Sequence, residues 1–239
     1  LTNSGSEAIE GALKLAKRVT GRSGLIAAQN SYHGSTHGSL SLLGFENQKK
    51  GYRPLLPGVR FIQFNKKEDL DQIDESTAAV LLETIQGGAG FILPKDNYLK
   101  KVKKKCEKVG ALMILDEIQP GFGRTGKMFG FEHFEVVPDI IVMGKALGGG
   151  LPIGAFSAPK KMMQKLQNDP KLGHITTFGG NAVIATAALS TLNEIYSTKL
   201  VRKMAKKEKI LRKNLKHPMI RSIRGKGLML APIFEKPEI

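Results

Sequence analysis

The chain has 239 residues with 41% hydrophobic content, enough for one large domain around a real core and ordinary for a soluble globular protein. No apolar run approaches bilayer length, which excludes a membrane-embedded protein, and the single cysteine, Cys106, excludes an intrachain disulfide and makes a reducing cytoplasm the expected location. The net charge of +16 raises nucleic-acid binding as a possibility, yet aromatic residues reach only 6% and tryptophan is absent, so no base-stacking surface interleaves with the lysines.

In chain order, a helix comes first. Ser4 followed three residues on by Glu7 reads as a capping box, and Ile9, Ala12, Leu13 and Ala16 form one apolar face. Strands are expected at Leu25 to Ala28, Val59 to Phe64, Ala79 to Leu82, Ala111 to Leu115 and Ile140 to Met143, with a helix at Asn97 to Val109. Later helices are expected at about Ala182 to Tyr196 and Leu200 to Leu215. This alternation predicts an α/β protein with a mostly parallel sheet and helices on both faces. The basic segments Lys100 to Lys108 and Lys199 to Lys216 read as solvated helix faces. In the second, Val201, Met204, Ala205, Leu211 and Leu215 keep an apolar stripe. Near Arg224-Gly225-Lys226-Gly227 the pattern turns to short strands, which places a domain change at His217-Pro218: residues 1–217 form the large domain and 218–239 begin a small one. Leu1 opens the chain directly on a loop-to-helix motif, and an apolar strand has just begun when it ends, so the sequence reads as a piece of a longer protein.

Four stretches bear on chemistry. Asn3-Ser4-Gly5-Ser6-Glu7 opens a helix, and free N–H groups with a close-approach glycine make such a turn an anion site. Asp116 closes an apolar strand, where ligands of open α/β sheets bind; a carboxylate there needs a cation, either a protonated ring nitrogen or, if Asp116 and Glu117 act as a pair, a metal ion. Lys145 follows a second apolar strand and precedes Gly148-Gly149-Gly150; burial at a strand end is expected to make such a lysine a neutral nucleophile. Gly121-Phe-Gly123-Arg-Thr-Gly126 matches the dinucleotide fingerprint in spacing alone, since no helix pattern follows, and reads as a tight structural turn.

Taken together, the blocks NSGSEA from Asn3, YHG from Tyr32, LDEIQPGFGRTG from Leu115, PDIIVMGKALGGGLPIGAF from Pro138, TTFGGN from Thr176 and RGKGL from Arg224 resemble the class III aminotransferases, relatives of the acetylornithine, ornithine and 4-aminobutyrate enzymes. The resemblance runs in order through essentially the whole chain. It implies a fold-type I transferase using pyridoxal 5′-phosphate, with no metal, that moves an amino group from an amino acid or ω-amine donor to an α-keto acid by a ping-pong route. Lys145 would hold the cofactor covalently and shuttle a proton, and Asp116 would pair with the ring nitrogen. Gln119 would hydrogen-bond the phenolic oxygen, Ile118 and Tyr32 would pack on opposite ring faces, and Gly5 and Ser6 would hold the phosphate. Thr177 would reach the phosphate of a neighbouring subunit, which implies a homodimer sharing its sites. His33 is left without a role. The resemblance also carries departures: Ser35 where acetylornithine-type enzymes have a carboxylate-gripping arginine, Thr84 where proline is usual, and Gly88 where ornithine and 4-aminobutyrate enzymes have a glutamate. A glutamate-1-semialdehyde-type aminomutase of the same fold is the closest alternative, and a nucleic-acid-binding module a distant one.

Overall fold

The computed structural model describes residues 1–168 and 170–235. Helix α1 (Gly5–Thr20) leads into strand β1 (Gly24–Ala28), followed by short helices α2 (His37–Ser41) and α3 (Glu46–Lys49). Then come β2 (Val59–Ile62), β3 (Thr77–Glu83), α4 (Tyr98–Val109), β4 (Leu112–Asp116), β5 (Ile140–Gly144) and β6 (Gly154–Ser157). The short α5 (Lys160–Met163), α6 (Ala182–Ser197), α7 (Met204–Asn214) and the strands β7 (Ile220–Lys226) and β8 (Met229–Phe234) complete the described chain.

Six strands form one sheet in the order β2-β1-β3-β4-β5-β6, and β7 pairs with β8 in a separate hairpin. Strands β1 to β5 run parallel, and β6 joins antiparallel at the edge. Strand side chains alternate between faces, and the core divides accordingly. Leu25, Ala27, Ala79, Leu81, Ile114, Ile140 and Val142 meet the apolar face of α1. Ile26, Ala28, Val80, Leu82, Met113 and Leu115 meet Tyr98, Leu99, Val102 and Cys106 of α4 on the other side. The helix-covered parallel sheet expected from the pattern is therefore present, with all four residues of the expected α1 face buried.

Local chemistry shifts several expectations. The capping box is half formed: Ser4 Oγ accepts from the Glu7 N–H at 3.2 Å, but the Glu7 carboxylate bonds the Asn3 N–H and side-chain amide one residue earlier. Strand β2 stops at Ile62, two residues early, where Asp69 takes the Gln63 N–H. Strand β6 was not expected, because Gly154-Ala-Phe-Ser157 is too short and too poor in β-branched residues to stand out. The last long helix begins as a 3₁₀ turn at Leu200–Lys203, and of its expected stripe only Met204 is buried, while Ala205 and Leu211 are exposed. Lysines of α4 face outward as read, paired in part: Lys100 with Glu135 at 2.7 Å, Lys103 with Asp139 at 2.6 Å and Lys105 with Asp71 at 3.2 Å. The Gly121–Gly126 stretch is a turn with Phe122, Gly123 and Gly126 at positive φ, and no helix opens there. No helix among the described residues is long and apolar enough to cross a membrane.

Candidate active site

Parallel strands end on one side of the sheet, and that side carries the site. In register, Glu83 at the end of β3 lies beside Asp116 at the end of β4. The segment after β1 brings Tyr32, His33 and Gly34, the N-terminus of α1 brings Gly5 and Ser6, and the turn after β5 brings Lys145. A cavity of about 370 Å³ gathers them, lined among others by Ser6, Tyr32, Glu83, Asp116, Gln119 and Lys145. Of the residues singled out from the sequence, Gly5, Ser6, Tyr32, Asp116, Ile118, Gln119 and Lys145 all line it. Thr177 does not: it is exposed on the loop before α6.

Asp116 is 4% exposed, and each oxygen of its carboxylate accepts one bond from the protein. Oδ1 accepts from the Ile118 N–H at 3.0 Å, and Oδ2 accepts from His33 Nδ1 at 2.9 Å. A carboxylate can only accept, so Nδ1 is the donor in this bond. The ring's Nε2 is buried without a partner among the described residues. His33 is the residue the sequence left without a role; its partner lies 83 positions away, a distance no local spacing reveals.

Lys145 departs from expectation. It is exposed rather than buried, because β5 ends at Gly144 and Lys145 opens a 3₁₀ turn at φ 42°, lifting the side chain off the strand end toward the open cavity. Asp116 and Glu117 also do not act as a pair. Glu117 accepts from Thr84 Oγ1 at 2.6 Å, from the Gly130 N–H at 2.7 Å and from the Phe131 N–H at 2.9 Å. It thus ties the strand end to the next loop, and burial pushes its carboxyl up to about 7 against the pull of these bonds. No group of three or more metal-ligating side chains occurs among the described residues.

The sequence reading also passed over Glu83, although it closes an apolar run as Asp116 does. Its Oε1 accepts from the Gly87 N–H at 2.9 Å and its Oε2 from the Tyr32 N–H at 3.3 Å. Burial pushes this carboxyl up to about 7, a shift that His33 opposes and Asp116 reinforces.

The residues fit an anionic, ring-bearing cofactor. Gly5 and Ser6 supply first-turn N–H groups that the helix ladder leaves free, at the positive end of a 16-residue helix. Ser6 lies so close to Gly34 that a Cβ on Gly34 would sit 2.2 Å from Ser6 Oγ, and one on Gly5 would sit 2.8 Å from Ile118 Cδ1. Gly34 also takes φ 134°, open to glycine at little cost. Backbone, a hydroxyl, an aromatic face, a buried carboxylate and a lysine thus converge around one space with no side chain filling it.

The sheet order and the cavity at the carboxyl ends of its strands, lined by the N-terminus of α1, Lys145 and buried Asp116, define an α/β protein with a ligand-sized site. The model of the class-III aminotransferase family matches residues 1–239. The chain belongs to that family, whose members depend on pyridoxal phosphate. It is 42% identical over 240 residues to an acetylornithine aminotransferase of Caldanaerobacter subterraneus, covering 95% of this chain and 60% of the relative. It is 41% identical over 255 residues to a putrescine aminotransferase of Pectobacterium atrosepticum, covering all of this chain and 54% of the relative. Among solved structures it superposes on an ornithine aminotransferase from Toxoplasma gondii with a TM-score of 0.87 at 34% identity, covering 95% of this chain and 57% of that one. The chain therefore spans between half and two thirds of the length of these relatives.

Proposed function

We propose that the protein to which this chain belongs is a pyridoxal-phosphate-dependent aminotransferase. An amino donor leaves its nitrogen at the site, and an α-keto acid collects it in a second half-reaction. The observation that carries the reading is the cavity in which Lys145 and the Asp116–His33 pair meet the N-terminus of α1. When bound, pyridoxal phosphate supplies an electrophilic carbon for the amine and a protonated ring that accepts the electron pair of a breaking C–H bond.

The chain's own groups have distinct tasks. Gly5 and Ser6 hold the phosphate through N–H and hydroxyl donors. Asp116 keeps the ring nitrogen protonated, and His33 orients that carboxylate from behind. Tyr32 and Ile118 cover the two ring faces, and Gln119 bonds the phenolic oxygen. Lys145 would anchor the cofactor, then take a proton from the donor carbon that bears the amine and deliver it to the cofactor carbon at C4′. Its exposure leaves the side chain free to swing between these positions.

The reading includes a homodimer. Exposed Thr177 belongs to a stretch of chain in which Leu172, Ile175, Phe178, Val183 and Leu189 are also exposed, apolar surface of the kind that association covers. It also retains residues 1–217 as the cofactor-binding domain and 218–239 as the start of a second, and a cytoplasmic location. The relatives' names differ in donor, so membership does not choose the substrate. The test is chemical: borohydride reduction of the full-length protein saturated with pyridoxal phosphate is expected to fix the label on the Lys145 peptide. Lys145→Ala is expected to abolish turnover with the fold intact, since the side chain is exposed. Label on another lysine refutes the assignment.

A further inference from the structure

We propose that Glu83 is a positioning residue of this site: its buried carboxylate clasps the main-chain N–H groups of Tyr32 and Gly87 at once, fixing the cavity wall that carries Tyr32 against the Gly87–Gly88 turn. The inference rests on the reading of the cavity as the pyridoxal-phosphate site. Glu83 is 7% exposed, and each of its oxygens takes one of the two bonds. The segments it joins are tied a little further back by Gln86 Nε2, which donates to the Gln29 carbonyl at 2.5 Å, and they pack closely: a Cβ on Gly88 would lie 3.4 Å from Tyr32 Cβ and 3.3 Å from the Asn30 carbonyl oxygen. Gly87 in turn backs onto Gln119, whose Oε1 would sit 2.6 Å from a Cβ there. One carboxylate therefore sets both the ring-stacking residue and the support behind Gln119. From its far side the same turn is held by Arg224 of β7, which donates to the Gly90 and Ala89 carbonyls at 2.6 and 2.8 Å.

Charged and titratable groups surround Glu83 on several sides. His33 comes from the segment after β1, Asp116 from the neighbouring strand, Lys145 from across the cavity and Arg224 from behind the turn. Burial, opposed by His33 and reinforced by Asp116, pushes Glu83 up to about 7. The clasp needs both oxygens as acceptors, so it is intact above that value and loosens as pH falls through it.

The probe is pyridoxamine 5′-phosphate, which needs no covalent bond to Lys145, titrated into the full-length protein calorimetrically from about pH 6 to 8.5. Glu83→Gln keeps the size but only one acceptor. The expected result is that the variant binds about 10-fold more weakly than wild type at pH 8 and converges on it near pH 6, because wild type loses ionised Glu83 about tenfold per unit below its pKa. The probe's own phosphate titrates alike in both proteins and cancels in the ratio. Parallel curves, or equal affinity at pH 8, overturn the clasp. If wild type fails to bind at any pH, the cofactor reading itself falls and takes the clasp with it. Should Glu83→Gln not fold, wild-type amide exchange decides. Protection at Tyr32 and Gly87 is expected to drop between pH 8 and 6 relative to Leu81 in β3, and unchanged protection at both overturns the inference.

Discussion

Replacing Asp116 with Asn in the full-length protein removes one negative charge at nearly constant volume. The aspartate holds two donors, the Ile118 N–H at 3.0 Å and His33 Nδ1 at 2.9 Å. An asparagine oxygen can serve one fully, and the amide NH₂ then faces the other donor unless His33 changes tautomer, which would leave an N–H on the buried, partnerless Nε2. The loss to the reaction comes from the ring nitrogen, which forfeits a charge-assisted hydrogen bond of about 1.5–3 kcal/mol and its protonated state with it. A loss of at least ~100-fold follows, equivalent to ~2.7 kcal/mol of transition-state stabilisation. The assay is the single-turnover half-reaction with an amino donor, followed by cofactor absorbance at saturating cofactor, so that weaker binding is not mistaken for slower chemistry. His33→Ala should be milder alone and add little in the Asp116→Asn background, since His33 acts through that carboxylate. An Asp116→Asn enzyme within about 3-fold of wild type while saturated with cofactor would refute this reasoning.

Substrate choice offers a second test. Beside the main cavity, and sharing Tyr32 and Gly34 with it, lies a pocket of about 340 Å³ lined by Ser35, His37, Gln48 and Tyr52 with no lysine or arginine. Acetylornithine is expected to be a poor donor by about 10- to 100-fold in kcat/KM relative to the best amine found, with Ser35→Arg improving it selectively; a wild-type preference for acetylornithine would show that another group grips the carboxylate. Glu117 predicts a pH dependence of stability. Burial raises its carboxyl pKa in the folded protein to about 7, above the ordinary carboxyl value of about 4.5, so its contribution is full below about 4.5 and is lost as pH rises through 7. Denaturant midpoints should fall from about pH 5 to 8, and less steeply in Glu117→Gln; an unchanged slope in the variant would mean that other groups carry it. Finally, if the basic faces are only solvated, binding to duplex DNA is expected to be weak, indifferent to sequence and gone at moderate salt, which a filter-binding salt series would show; a sequence-specific complex at physiological salt would contradict that.

Much of the fold is legible in the sequence because the physics that forms it is local and periodic. Apolar runs such as Ala79 to Leu82 are buried on both sheet faces, and the α1 face repeats at helical spacing. Site residues were legible where a motif repeats in many proteins: Lys145, Asp116 and Tyr32 reach one cavity. What escaped depended on register and on partners far along the chain. Glu83 matters because register sets it beside Asp116, and His33 because it meets a carboxylate on another strand. The exposure of Lys145 escaped because one residue at positive φ decides it, and sequence periodicity carries no information about a single backbone angle.

The pairing of Thr2 with Gly154 joins the second residue of this sequence to the edge strand β6 through two hydrogen bonds, of 2.7 and 3.0 Å. The turn that opens α1 begins two residues later, at its N-cap Ser4. During synthesis that turn leaves the ribosome before the parallel strands do, yet its anchor emerges only after the whole parallel sheet has been made. At about 5–20 residues per second the wait is on the order of ten seconds or more, during which the apolar face of α1 needs other cover. A nascent chain stalled before Gly154 should therefore hold the sheet core without the anchored first turn of α1, and it should recruit chaperones that a chain extended past Ser157 releases.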